Sequence, residues 1–73
     1  MADYKYRIIL SWSDRDNAWI AQVPDLPGCL ADGATPAEAV ANAQVIIGEW
    51  IETAREDGRP IPEPQLYDVR QTA

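Results

Sequence analysis

The sequence predicts an α+β domain of two layers, one long helix packed on a small, mostly antiparallel sheet in the order β-β-β-α-β. Three observations predict it. Two apolar runs of strand type flank a cluster of turn-forming residues, a long helix has both of its ends marked, and a proline-rich connector leads to a last run of strand type.

The first strand is Tyr4–Trp12. Tyr4, Tyr6, Ile8, Leu10 and Trp12 share one face, Lys5, Arg7 and Ser11 share the other, and Ile9 breaks the alternation. Ser13-Asp14-Arg15-Asp16-Asn17 then closes a hairpin. The second strand, Ala18–Val23, puts Trp19, Ala21 and Val23 on one side and Ile20 on the other, so neither side of the sheet is wholly polar. Pro24-Asp25-Leu26-Pro27-Gly28 must be a loop, because its two prolines lack backbone donors and Gly28 can adopt positive φ. Cys29–Asp32 is long enough for a short third strand, and Gly33-Ala34 interrupts it.

The helix follows from Thr35-Pro36-Ala37-Glu38: a capping threonine, proline at the first helical position and glutamate at the third. Ala39, Val40, Ala43, Ile47, Trp50, Ile51 and Ala54 form its apolar stripe, while Glu38, Glu49, Glu52 and Glu56 point away. Gly58, Arg59 and Pro60 end it, giving about 22 residues or roughly 33 Å. Val45 lies on the acidic side. Gly48 sits mid-helix at a cost of about 1 kcal/mol relative to alanine, either as neutral variation or because another backbone approaches there. Arg59–Pro64 alternates proline in an extended connector, and Gln65–Arg70 can add a last strand, to its own sheet or to that of a neighbouring molecule.

At 73 residues the chain makes one domain with a small core. No apolar run approaches the roughly 20 residues needed to span a bilayer. Asp3 stands where a signal peptide would be basic, and the lone Cys29 agrees with a reducing compartment, so a cytoplasmic location without membrane contact is expected. Twelve acidic and six basic residues give a net charge of −6. That charge repels nucleic acid, and it favours a basic protein partner if it does more than confer solubility.

Catalytic chemistry is hard to assemble from these residues. The chain has no histidine, which removes the commonest general base and metal ligand. No glycine-rich phosphate loop is present. Asp14 with Asp16, or Asp25 with Asp32, offers carboxylates for Mg²⁺, but three of these sit where turns favour aspartate. Cys29 lacks basic neighbours to activate it and reads as a small apolar residue. Trp19 and Trp50 are expected in the core, and Trp12, at a strand end, partly exposed. No enzyme, metal or cofactor is therefore expected.

The succession Ala18-Trp19, Val23-Pro24-Asp25-Leu26-Pro27-Gly28-Cys29, Thr35-Pro36-Ala37-Glu38-Ala39 and Glu56–Pro64 resembles the HicB-like antitoxin domain over roughly Tyr4 to Pro64. The resemblance implies a truncated ribonuclease H-like fold without catalytic acids. It also implies an antitoxin that binds a small basic HicA-type mRNA-cleaving toxin and covers its active site. Many members carry a C-terminal DNA-binding domain. This chain ends at Ala73, so one toxin-binding domain over residues 1–73 is expected, without operator binding. The expected contact residues are Trp19, Val23, Asp25, Leu26, Cys29 and Asp32. A homo-oligomer, dimer or higher, is expected through a sheet edge or the C-terminal strand. The alternatives are a self-associating module without a toxin, and a metal-dependent nuclease.

Overall fold

The computed structural model describes residues 4–67. Strands β1 (Ile9–Ser13), β2 (Ala18–Gln22) and β3 (Leu30–Gly33) form one antiparallel sheet in that spatial order, and helix α1 (Pro36–Glu56) packs on one face of it. The hairpin turns where the sequence places it, with Asn17 in the left-handed region at φ 52°, which Asn tolerates better than most residues.

The ladder starts later than the sequence predicts. Tyr4–Ile8 is extended and alternates between covered and exposed side chains, but it forms no strand. The reason lies in β2, which ends at Gln22 opposite Ile9. Val23 N–H faces β3, where it donates to Cys29 O at 3.0 Å, and Pro24, the next position to face β1, has no N–H to offer. Residues before Ile9 thus have no strand beside them among the described residues. For the same reason β3 begins at Leu30, after the loop has closed through Leu26 N–H to Val23 O and Cys29 N–H to Leu26 O. The expected last strand is not formed over Gln65–Tyr67, and the rest of it lies outside the described residues.

The helix ends are as predicted. Thr35 Oγ1 accepts from Glu38 N–H at 3.1 Å, and Glu38 Oε1 accepts from Ala34 N–H at 2.8 Å, one residue earlier than in a standard capping box. At the other end Gly58, at φ 69°, donates to Arg55 O while Arg59 N–H donates to Ala54 O. This pair of bonds is a Schellman motif.

Two clusters make the core. Tyr6, Val23, Leu26, Cys29, Ile47 and Ile51 form the larger one, into which Ile61 of the connector packs; Tyr6 Oη donates to Pro62 O and holds the connector there. Ala21, Ala31, Ala39 and Ala43 form the smaller one, where small side chains let α1 sit close to β2 and β3. The helix lies mainly over β3 and barely reaches β1. Leu10 and Trp12 are consequently 38% and 47% exposed although they point to the helix side. Ile9 and Leu30, on the bare outer side, are 48% and 53% exposed.

Among the described residues of the chain no backbone outside the helix lies close to Gly48; its neighbour is the ring of Tyr4. A Cβ added there would lie 3.8 Å from that ring, an ordinary contact. Gly48→Ala is therefore expected to raise stability by up to about 1 kcal/mol, the difference in helix propensity. Urea unfolding followed by circular dichroism checks this, and a loss of stability would show that the small residue is needed.

Candidate functional site

Exposed carboxylates gather on the outer side of α1. Counted at 100° per residue, Glu38, Val45, Glu49, Glu52 and Glu56 all fall opposite the buried stripe of Ala43, Ile47 and Ala54. The five are exposed, Val45 by 56%. Among the described residues the ion pairs are Arg7–Asp25 and Arg59–Asp57, and neither involves these glutamates. Glu49 and Glu52, then Glu52 and Glu56, stand three and four residues apart, so their like charges repel by a few tenths of a kcal/mol per pair. A shallow groove runs along this side, lined by Tyr4, Gln44, Val45, Gly48, Glu49 and Glu52, with Arg55 also in its wall. Its floor is apolar and its rim acidic.

The six contact residues expected from sequence do not come together on a surface. Val23, Leu26 and Cys29 meet one another in the core, at 1%, 0% and 2% exposure. Their side chains are not available to a partner. Burial also pushes the Cys29 thiol up, away from the reactive thiolate. Trp19 lies half-buried on the helix side of the sheet, edge-on to Trp12 with ring centroids 5.7 Å apart. Asp25 is a clamp within the chain: it accepts from Arg7 Nη2 at 3.3 Å and from Gln65 N–H at 3.2 Å, joining the first extended segment to the last. Asp32 is exposed on the outer face of the sheet, and its backbone carbonyl accepts from Asn42 Nδ2. Trp50, edging the larger cluster, donates to Pro27 O at 3.0 Å and carries Arg59 over its ring.

The sequence showed the acidic side of the helix but not the groove that runs along it. Val45 stands out there as a lone β-branched apolar residue among glutamates, 56% exposed among the described residues. No helix among the described residues is long and apolar enough to cross a membrane. Nor do the described residues bring three or more His, Cys, Asp or Glu together in a way that could hold a metal ion.

Fold and surface define a small α+β domain with much of its negative charge exposed along one side of a single helix. The chain belongs to the HicB-like antitoxin family of bacterial toxin–antitoxin systems, whose family model matches residues 6–73. Membership carries an antitoxin role and implies a toxin partner. Among its relatives, the UPF0150 protein Ta0767 of Thermoplasma acidophilum is 32% identical over 65 residues, covering 89% of this chain and 93% of that protein. The UPF0150 protein ssl0259 of Synechocystis is 32% identical over 47 residues, covering 64% of each. The crystal structure of TTHA0281 from Thermus thermophilus is similar at a TM-score of 0.59 and 25% identity, over 88% of this chain and 83% of that one.

Proposed function

We propose that this domain is a stoichiometric inhibitor that binds a small basic HicA-type mRNA-cleaving toxin in the cytoplasm and covers its active site, without catalysis of its own. The observation that carries this reading is the exposed acidic side of α1. Glu49, Glu52 and Glu56 repel one another in the free chain, and a cationic partner converts that repulsion into attraction. Tyr4, Val45 and Gly48 supply the apolar strip between the charges that a docked surface needs at its centre. Asp32 adds a carboxylate on the other side of the domain for a partner that wraps around it, and Asp25 and Trp19 act by holding the loop and sheet in shape. The net charge of −6 disfavours direct contact with nucleic acid.

The test is stopped-flow association with a small basic HicA-type toxin, together with an RNA cleavage assay. Wild-type chain is expected to bind and to abolish cleavage at one-to-one stoichiometry. Glu49→Lys, Glu52→Lys and Glu56→Lys combined are expected to slow association by roughly tenfold or more at low salt, with the difference shrinking as salt is raised. Equal rates for wild type and triple variant would place the toxin elsewhere, and cleavage unaffected by wild type would sink the reading. A self-associating module without a toxin is the second reading, favoured by the exposure of Leu10 and Trp12 on β1, an edge strand among the described residues.

A further inference from the structure

We infer that the groove along α1 receives one basic α-helix of the partner, laid lengthwise, with Gly48 as the point of closest approach between the two helices. The inference deepens the toxin-binding reading above and rests on it.

The spacing of the lining residues carries the geometry. Ala41, Val45, Gly48 and Glu52 follow one another at steps of four, three and four, and all of them line the groove. Such a seam is what one helix offers to another that packs along it at a shallow angle of about 20°. From Ala41 to Glu56 the groove follows about 22 Å of helix, room for about four turns of a second one. An extended segment fits this surface less well. The flank of a helix has no spare backbone donors or acceptors, so a strand laid on it leaves its own unpaired. A helix arrives with its backbone already satisfied.

Gly48 is not explained by the fold alone. Glycine weakens the helix it sits in, and a Cβ there would meet only the side chain of Tyr4, at 3.8 Å. Among the described residues, then, no packing constraint asks for glycine. A seated helix does ask for it, because the missing side chain at Gly48 and the single methyl of Ala41 let two helix axes approach to about 8 Å. Val45, 56% exposed, gives that contact its apolar part. Tyr4 stands as one wall, its N–H donating to Gln44 Oε1 at 3.4 Å. Charge then orients the occupant. Counted at 100° per residue, Glu49 and Glu56 lie on one side of the seam and Arg55 on the other. The incoming helix therefore turns its lysines and arginines toward Glu49 and Glu56 and its small or apolar residues toward Gly48 and Val45.

Binding kinetics of the full chain with a small basic HicA-type toxin test this. Gly48→Leu and Ala41→Leu are expected to speed dissociation by roughly tenfold or more with little change in association, as loss of close packing does. Gly48→Ala is expected to raise the thermal midpoint of the free chain and yet speed dissociation, opposite signs that a purely structural role does not give. Leu30→Gln, on the outer face of the sheet, is expected to keep both wild-type rates. A photoreactive label on Val45→Cys or Glu52→Cys, with Cys29 buried and out of reach, is expected to crosslink to toxin residues about seven apart on one helix. Wild-type dissociation of both Gly48→Leu and Ala41→Leu overturns the seated helix. If charge reversal of the glutamates still slows association in that case, the toxin-binding reading stands without it. Crosslinks to an extended segment, or to this chain's own termini, overturn it as well. So does affinity lost with Leu30→Gln and kept with Gly48→Leu, which places the toxin on the sheet. A wild-type chain that binds no toxin overturns both readings.

Discussion

Leu26→Ala is expected to destabilise the domain by about 3 kcal/mol, a middle value for truncating a fully enclosed leucine. Leu26 comes from a loop, yet it is 0% exposed and packs among Tyr6, Val23, Cys29, Ile47 and Ile51. The loop holds it there through the three backbone bonds that link Val23, Leu26 and Cys29, so the side chain has little freedom to collapse into the space left by truncation. A chain of this size has a total stability on the order of 7 kcal/mol, so the loss is a large share of it. The thermal midpoint should fall by roughly 15 °C. Toxin affinity, measured on the fraction still folded, should change little. An unchanged midpoint with lost affinity would mean that Leu26 is a contact residue after all, as the sequence led us to expect.

The second large effect is expected at Gly33. It is buried in β3 beneath the first turn of α1, and a Cβ built there would lie 2.5 Å from Ala39 N and 2.9 Å from Glu38 C. Both are backbone atoms held by the Thr35 cap, so neither can swing aside as a flexible side chain would. Gly33→Ala is expected to cost about 3 kcal/mol through overpacking and displacement of the helix start. Gly28 provides the contrast. It has φ +77° but nothing within 4 Å of a Cβ, so Gly28→Ala should cost only about 1 kcal/mol, from backbone strain alone. Urea unfolding of the two variants side by side measures the difference. Equal costs would show that the helix start yields more easily than its capping bonds imply.

The helix was legible because its signals are local. Thr35, Pro36, Glu38 and Gly58 each act on backbone groups within a few residues, and the apolar stripe repeats at the helical period. The hairpin was legible for the same reason, through Asn17 and its neighbours. The acidic side of the helix could be read from Glu38, Glu49, Glu52 and Glu56, since residues opposite a buried stripe must face outward. The Pro24–Gly28 segment was legible as a loop, but the burial of Leu26 within it was not. A loop has no period, so nothing in its spacing shows whether Leu26 points into the core or to a partner. The partners of Asp25 were hidden similarly, because Arg7 and Gln65 reach it only once distant segments meet.

What the sequence determined by itself was the class of domain, the helix with its two caps, the first three strands along the chain and the charge of the surface. These depend on contacts between residues close in the chain or on composition. Only the tertiary structure decided that Val23, Leu26 and Cys29 are core, that Gly33 gives α1 its close seat, and that the helix leans toward β3 and leaves Leu10 and Trp12 uncovered. Each of these is set by where one element lies against another. That placement is a compromise among many side-chain volumes at once, and no local pattern of residues encodes it.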